Sequence, residues 1–137
     1  MPLHLRIATL ERTVFDEDVD SITLPGSEGE FTVLKNHIPL ITALALGEII
    51  ARRGGEEFSM TVSGGMTEVQ PDRVLVLADQ SERAEEIDIE LAEEARRRAE
   101  RLMEEKREDV EEFAAAEAEL QRALMRIKIA KKRKGRL

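Results

Sequence analysis

Cysteine, tryptophan and tyrosine are all missing from the 137 residues, and phenylalanine occurs four times. Without Cys there are no disulfides, no thiolate chemistry and no Cys-ligated metal, which fits a reducing compartment. With so few rings, stacking on bare bases is nearly unavailable, which argues against single-strand nucleic-acid binding. No apolar run is long enough to span a bilayer and none at the start resembles a signal peptide, so a soluble chain, or one held at a membrane by a partner, is expected. Glycine and proline are missing from one half only. All four prolines and seven of the eight glycines precede Asp72, and residues 72–134 contain neither. These are the strongest local breakers, so the second half is free to form long helices.

What is present divides the same way. Hydrophobic residues make up 42 % and charged residues 36 %, with a net charge of -8. Six cations (Lys128, Lys131, Lys132, Arg133, Lys134 and Arg136) crowd the end, so the body before them is more acidic still. An acidic body with a basic tip repels nucleic acid in bulk and suits a local acidic protein surface.

The first half is punctuated at intervals of about 8–12 residues, the spacing expected of a sandwich or barrel. In residues 3–10, Leu3, Leu5 and Ile7 alternate with His4, Arg6 and Ala8, a half-buried strand. Further strands are expected at 19–24, around Phe31 and Val33, at 40–45, 48–53, 58–62, 66–70 and 74–78. Gly54-Gly55 between two of these runs predicts a hairpin. Gly64-Gly65 lacks the Gly-Lys-Ser/Thr continuation of a phosphate loop and reads as a turn. Ser63 has no base nearby in sequence, and the two histidines are far apart, so an enzyme is the poorest reading.

The second half predicts two helices. Asp88 is a candidate cap, with Leu91, Ala95, Ala99 and Leu102 on one stripe and Glu93–Arg97 and Glu94–Arg98 as ion pairs. The stripe lapses at 105–109, where Asp109 and Glu112 resemble a capping box. Phe113, Ala116, Leu120, Leu124 and Ile127 form the next stripe. The expected fold is α+β: an N-terminal antiparallel β-sandwich over 1–84, then an antiparallel two-helix hairpin over 85–137. Its alanine-rich seam buries little area, so the hairpin is expected to be marginal alone, and with no breaker at the turn two readings stand: an arm that also extends as one helix, or a permanently docked hairpin. A free-standing hairpin adaptor is the competing function.

Three segments carry a family resemblance: residues 24–41 (LPGSEGEFTVLKNHIPLI), 62–71 (VSGGMTEVQP), and 74–79 (VLVLAD) with 84–88 (AEEID). In order and spacing they resemble the epsilon subunit of bacterial F-type ATP synthases, the mitochondrial delta subunit. The resemblance covers the whole chain. It implies a non-catalytic rotor subunit at the foot of the central stalk. Such a subunit binds gamma and the c-subunit ring for proton-driven ATP synthesis at the cytoplasmic face of the cell membrane, and its movable helices inhibit hydrolysis. It implies c-ring contact at Glu30 and His37, and contact with beta subunits through Lys128, Lys131, Lys132, Arg133 and Lys134. It also implies a regulatory ATP site at Ile87, Asp88, Ala92, Arg98, Arg122 and Arg126. The motif arginine of that site is Leu91 here, and losing a charge-assisted contact weakens binding by about 1.5–3 kcal/mol. No resident cofactor, metal or nucleic-acid partner is expected.

Overall fold

The computed structural model describes residues 2–135. They divide into two compact units, 1–84 and 85–137.

Nine strands build the first unit: β1 (Leu3–Ala8), β2 (Thr13–Val19), β3 (Ser21–Gly26), β4 (Gly29–Leu34), β5 (Leu40–Ala43), β6 (Gly47–Arg53), β7 (Glu56–Val62), β8 (Gly65–Val69) and β9 (Arg73–Ala78). They form two sheets, in the order β2-β1-β9-β8-β5 and β4-β3-β6-β7. Pairing is antiparallel except between β1 and β9, the first and last strands, which run parallel in the middle of the larger sheet. Period-two alternation sends Leu3, Leu5 and Ile7 from β1, Ile22 and Leu24 from β3, Ile49 from β6 and Val76 from β9 into one core where each is fully buried. The Gly-Gly hairpin forms as expected. Arg53 faces Glu56 across the two-residue Gly54-Gly55 turn, and Gly54 takes φ 60°. Gly65 is irreplaceable on two counts, since its φ is +126° and a Cβ there would stand 2.3 Å from the Leu77 carbonyl oxygen.

The expected strand at 19–24 is two strands meeting at Asp20, and β2 lies upstream of it. Its Asp16, Glu17 and Asp18 hide the strand, because three consecutive acids break any alternation. Asp16 and Asp18 face outward, while Glu17 turns toward the open side of the sandwich and meets Arg53 at 3.1 Å and Arg83 at 3.9 Å. Arg83 also donates from Nε to the Val14 carbonyl (2.7 Å) and lies 5.2 Å over the Phe15 ring, closing the β2 edge.

The second unit is an antiparallel helix pair, α1 (Ile89–Glu105) and α2 (Val110–Gly135). Asp88 caps α1 by accepting from the Leu91 N–H at 3.2 Å, and Asp109 caps α2 by accepting from the Glu112 N–H at 3.0 Å. The capping box is half made: the Glu112 carboxylate pairs with Lys106 at 3.2 Å, across the turn. The buried stripes keep the expected Ala99, Ala116 and Ile127 but differ at two positions, where Ala92 and Ala123 replace the neighbouring leucines. Leu91 and Leu124 are exposed, while Ala92, Ala99, Ala116, Ala123 and Ile127 are buried. The α1 ion pairs differ too. Arg96 takes Glu93 at i–3 and Glu100 at i+4, both at 2.9 Å, in place of the expected Glu93–Arg97 and Glu94–Arg98 pairs.

Candidate functional site

Three surfaces carry the candidate residues. The first is the solvent face of the five-stranded sheet. Register places Ala43, Met66, Leu77 and Ala8 in one row across β5, β8, β9 and β1. The next row is Ile41, Glu68, Leu75, Arg6 and Asp16. Ile41, Met66 and Leu77 are each more than half exposed. A cluster of large apolar side chains on one sheet face is the mark of a partner-binding surface, in contrast to scattered single residues. The sequence reading missed this face because its apolar residues come from four strands, and only the register assembles them. Toward β2 the same face turns polar. His4 is held between Asp18 (Nδ1 to Oδ1, 2.7 Å) and Asp16 (Nε2 to Oδ1, 2.5 Å). Those hydrogen bonds, to Asp18 first and then Asp16, raise the His4 pKa above its ordinary value of 6.5.

The second surface runs from β4 through the following loop. Glu30 is exposed near the start of β4, opposite Pro25. His37 follows Asn36, whose backbone is left-handed at φ 68°, and its Nδ1 donates to the Ile38 carbonyl at 2.7 Å. The loop is tied down by the Asn36 N–H on the Pro71 carbonyl, 2.7 Å. Extended strand separates Glu30 from Leu34 by about 13 Å, with His37 past that end, so the two do not form one cluster. A partner touching both covers the length of β4 and meets the exposed Leu34 and Ile38 on the way.

The third surface is the helix pair. Lys128, Lys131, Lys132 and Lys134 are exposed, and Arg133 is half-buried near the end of α2. This is the negative end of the helix dipole, where cations are favoured. Arg136 lies outside the described residues. Of the nucleotide candidates, Asp88 Oδ1 is engaged as the α1 cap, Ala92 is fully buried and Ile87 is 9 % exposed. Arg98 is exposed, while Arg122 and Arg126 are half-buried on α2. Leu91 stands 56 % exposed where the motif calls for a guanidinium. This set fits a nucleotide poorly, because its carboxylate is engaged and one cation is replaced by an alkyl chain. A cleft of about 250 Å³ between the helices is lined instead by Leu102, Lys106, Glu112, Ala115, Ala116 and Glu119, at the turn. Among the described residues no group of His, Asp or Glu is arranged to hold a metal, and no helix is long and apolar enough to cross a membrane.

Comparison with known proteins gives these surfaces a context. Residues 2–84 match the family model "ATP synthase, Delta/Epsilon chain, beta-sandwich domain", and residues 85–131 match "ATP synthase, Delta/Epsilon chain, long alpha-helix domain". The ATP synthase epsilon chain of Dehalococcoides mccartyi is 54 % identical over 132 residues, covering 96 % of this chain and 94 % of the relative. That of Herpetosiphon aurantiacus is 44 % identical and covers 99 % of each. A chain in the Euglena gracilis mitochondrial ATP synthase with its c-ring superposes with a TM-score of 0.76 at 25 % identity, over 89 % of this chain and 77 % of that one. A chain from the central stalk and c-ring of the Tetrahymena thermophila enzyme shares the fold at TM-score 0.58 and 11 % identity, covering 95 % and 97 %. With both regions matched in order and along nearly its whole length, the chain belongs to the ATP synthase delta/epsilon family.

Proposed function

We propose that the chain works as a non-catalytic rotor subunit of an F-type ATP synthase. It binds the gamma subunit and the c-subunit ring, transmits torque between the ring and the catalytic head, and so serves proton-driven ATP synthesis. It lies at the cytoplasmic face of the bacterial cell membrane and is held there by the complex. The observation that carries the reading is the exposed apolar cluster of Ile41, Met66 and Leu77, spread over two adjacent rows of the larger sheet. A rotor subunit needs a permanent partner, and this face is the natural seat for gamma. Glu30 and His37, along the β4 side, are the residues assigned to the c ring. A ring of identical subunits offers a repeating surface, which suits contacts spread along a strand.

In this reading the domains are 1–84 and 85–137, and the second regulates. The alanine seam supports it: small side chains bury little area, so opening the hairpin costs little. Opened, the helices inhibit ATP hydrolysis, with Lys128, Lys131, Lys132, Arg133 and Lys134 against an acidic part of the beta subunits. Nucleotide regulation is weak in this chain because Leu91 supplies no charge.

The test is ATP hydrolysis by the cognate catalytic head carrying either the full chain or the chain cut after Glu86. Faster hydrolysis with the shortened chain, at equal binding to gamma, is the expected result. Equal rates at equal binding remove the regulatory half and leave the coupling half. Failure of either form to co-purify with gamma removes both.

A further inference from the structure

The hairpin is charge-sorted along its length. Residues 85–94, leading into and opening α1, carry six carboxylates and no cation: Glu85, Glu86, Asp88, Glu90, Glu93 and Glu94. Residues 128–134, near the end of α2, carry five cations and no carboxylate. Antiparallel pairing sets these two stretches side by side at the open end, away from the turn. Two ion pairs cross between them, Lys131 Nζ to Glu93 Oε1 and Arg133 Nε to Glu85 Oε2, each at 3.9 Å. Glu93 is pre-positioned for its pair. Its other oxygen is held by Arg96 at 2.9 Å, and Arg96 is itself anchored on Glu100 at 2.9 Å. Glu93 is 25 % exposed and Lys131 64 %, so the pair sits at the rim of the seam. Fully buried apolar area in that seam is small, since five of the seven buried residues of α1 and α2 are alanines.

We infer that the open end of the hairpin is an electrostatic latch, in which Glu85 and Glu93 hold the same α2 cations that an acidic partner surface takes up when the hairpin opens. The inference deepens the regulatory reading above and rests on it for the identity of the competitor. Lys131 and Arg133 cannot face Glu93 and Glu85 and a partner's carboxylates at the same time. The partner therefore competes with the hairpin for one set of charges. Because the pairs are largely exposed, salt weakens the latch: the screening length falls from about 10 Å at 0.1 M to about 3 Å at 1 M.

The chain has no cysteine, so spin labels on Arg97→Cys and Leu124→Cys, both exposed and outside the latch, go only where they are placed. Pulsed electron–electron distances in the free, full-length chain then report the closed and open populations. Glu85→Gln with Glu93→Gln is expected to raise the open-to-closed ratio about two- to thirtyfold in low salt, the range for losing two exposed pairs. One molar salt is expected to raise it in the parent chain and to add little in the variant. Charge reversal guards against a variant that misfolds: Glu93→Lys or Lys131→Glu alone opens the hairpin, and the two together close it again. An unchanged distribution in the neutral variant, or a reversed pair no more closed than its singles, overturns the latch. Hydrolysis by the reconstituted head separates this from the reading beneath it. If the neutral variant opens in solution but inhibits no more strongly than the parent, the latch stands and the proposed contact with the beta subunits falls.

Discussion

The two regions of this chain are held together by different means. In the sandwich, Phe15, Leu3, Leu5, Ile7, Ile22, Leu24, Ile49 and Met60 are all essentially inaccessible to solvent. In the helix pair, the buried residues are alanines for most of the length, with Ile127 and Ile129 near the end of α2. A buried Leu removes about twice the apolar area that a buried Ala does. The strands are also tied by long-range pairing, including the parallel β1–β9 contact that joins the two ends of the sandwich sequence. Under the proposed function the platform transmits torque and must keep its shape, while the arm switches and must let go of itself. The first job selects large interlocking side chains, and the second selects small ones flanked by exchangeable charges.

The sharpest way to break this comparison is to give the sandwich a defect. Leu5→Ala removes a fully buried side chain from the central layer of the core. A loss of about 2–5 kcal/mol is expected from the lost burial and the cavity left behind. Thermal unfolding of strand signals checks it, and hydrogen exchange read peptide by peptide locates it. Exchange should accelerate across β1, β9 and β8 together. A defect confined to β1 would mean the sandwich is less cooperative than its topology implies.

In the helix pair the matching change is Ala99→Gly. Ala99 is fully buried on α1, and glycine there removes a single buried methyl from the seam, about 0.8 kcal/mol, while its lower helix propensity weighs on the closed and extended arms alike. That corresponds to roughly a fourfold shift in a two-state population. The expected readout is a larger open fraction in the distance measurement, with the sandwich transition unmoved. A shift as large as that of Leu5→Ala would show that the seam is a true core, and the contrast between the regions would fail.

Much of this was legible in the sequence, and the gaps have physical reasons. Gly54-Gly55 announced its hairpin because a two-residue turn between strands needs positive φ. Strand β2 escaped because Glu17, an inward position at a sheet edge, is charged and is balanced by Arg53 and Arg83 from elsewhere in the chain. The helix stripes hold at Ala99, Ala116 and Ile127 and miss at Leu91 and Leu124, for an instructive reason. Helical spacing put Leu91 and Leu124 on the stripes, yet the seam buries their neighbours Ala92 and Ala123 and leaves the leucines outside. Of the candidate surfaces, the basic end of α2 was visible as a charge run. The apolar sheet face was not, since Ile41, Met66 and Leu77 lie far apart in sequence and meet only through strand register.

The smallest expected effect separates the regions by what perturbs them: salt for the helix pair, pH for the sandwich. His4 lies between Asp18 and Asp16, and across the pairing register its neighbours on the sheet are Asp18 of β2 and Arg73 of β9, with Arg6 beside Asp16. Both ring nitrogens face carboxylate oxygens, an arrangement that only the doubly protonated imidazolium satisfies. The hydrogen bonds to Asp18 and then Asp16 outweigh the partial desolvation of the ring, so the folded pKa is raised above 6.5. A group whose pKa is raised on folding contributes stability that is complete below its unfolded value and fades as pH rises through the folded value. The sandwich melting temperature should therefore fall modestly as pH climbs from about 6 past that raised value. His4→Gln should flatten the slope by lowering the acid side while leaving the alkaline side nearly unchanged. The His4, Asp16 and Asp18 side chains are each about half exposed, which keeps the effect small and screened by salt. The spin-labelled helix pair should show no matching change over the same range, since its latch pairs carboxylates with lysine and arginine. A parallel pH response in the hairpin would mean that the two regions share a titrating group, and the division of sensitivities between them would have to be abandoned.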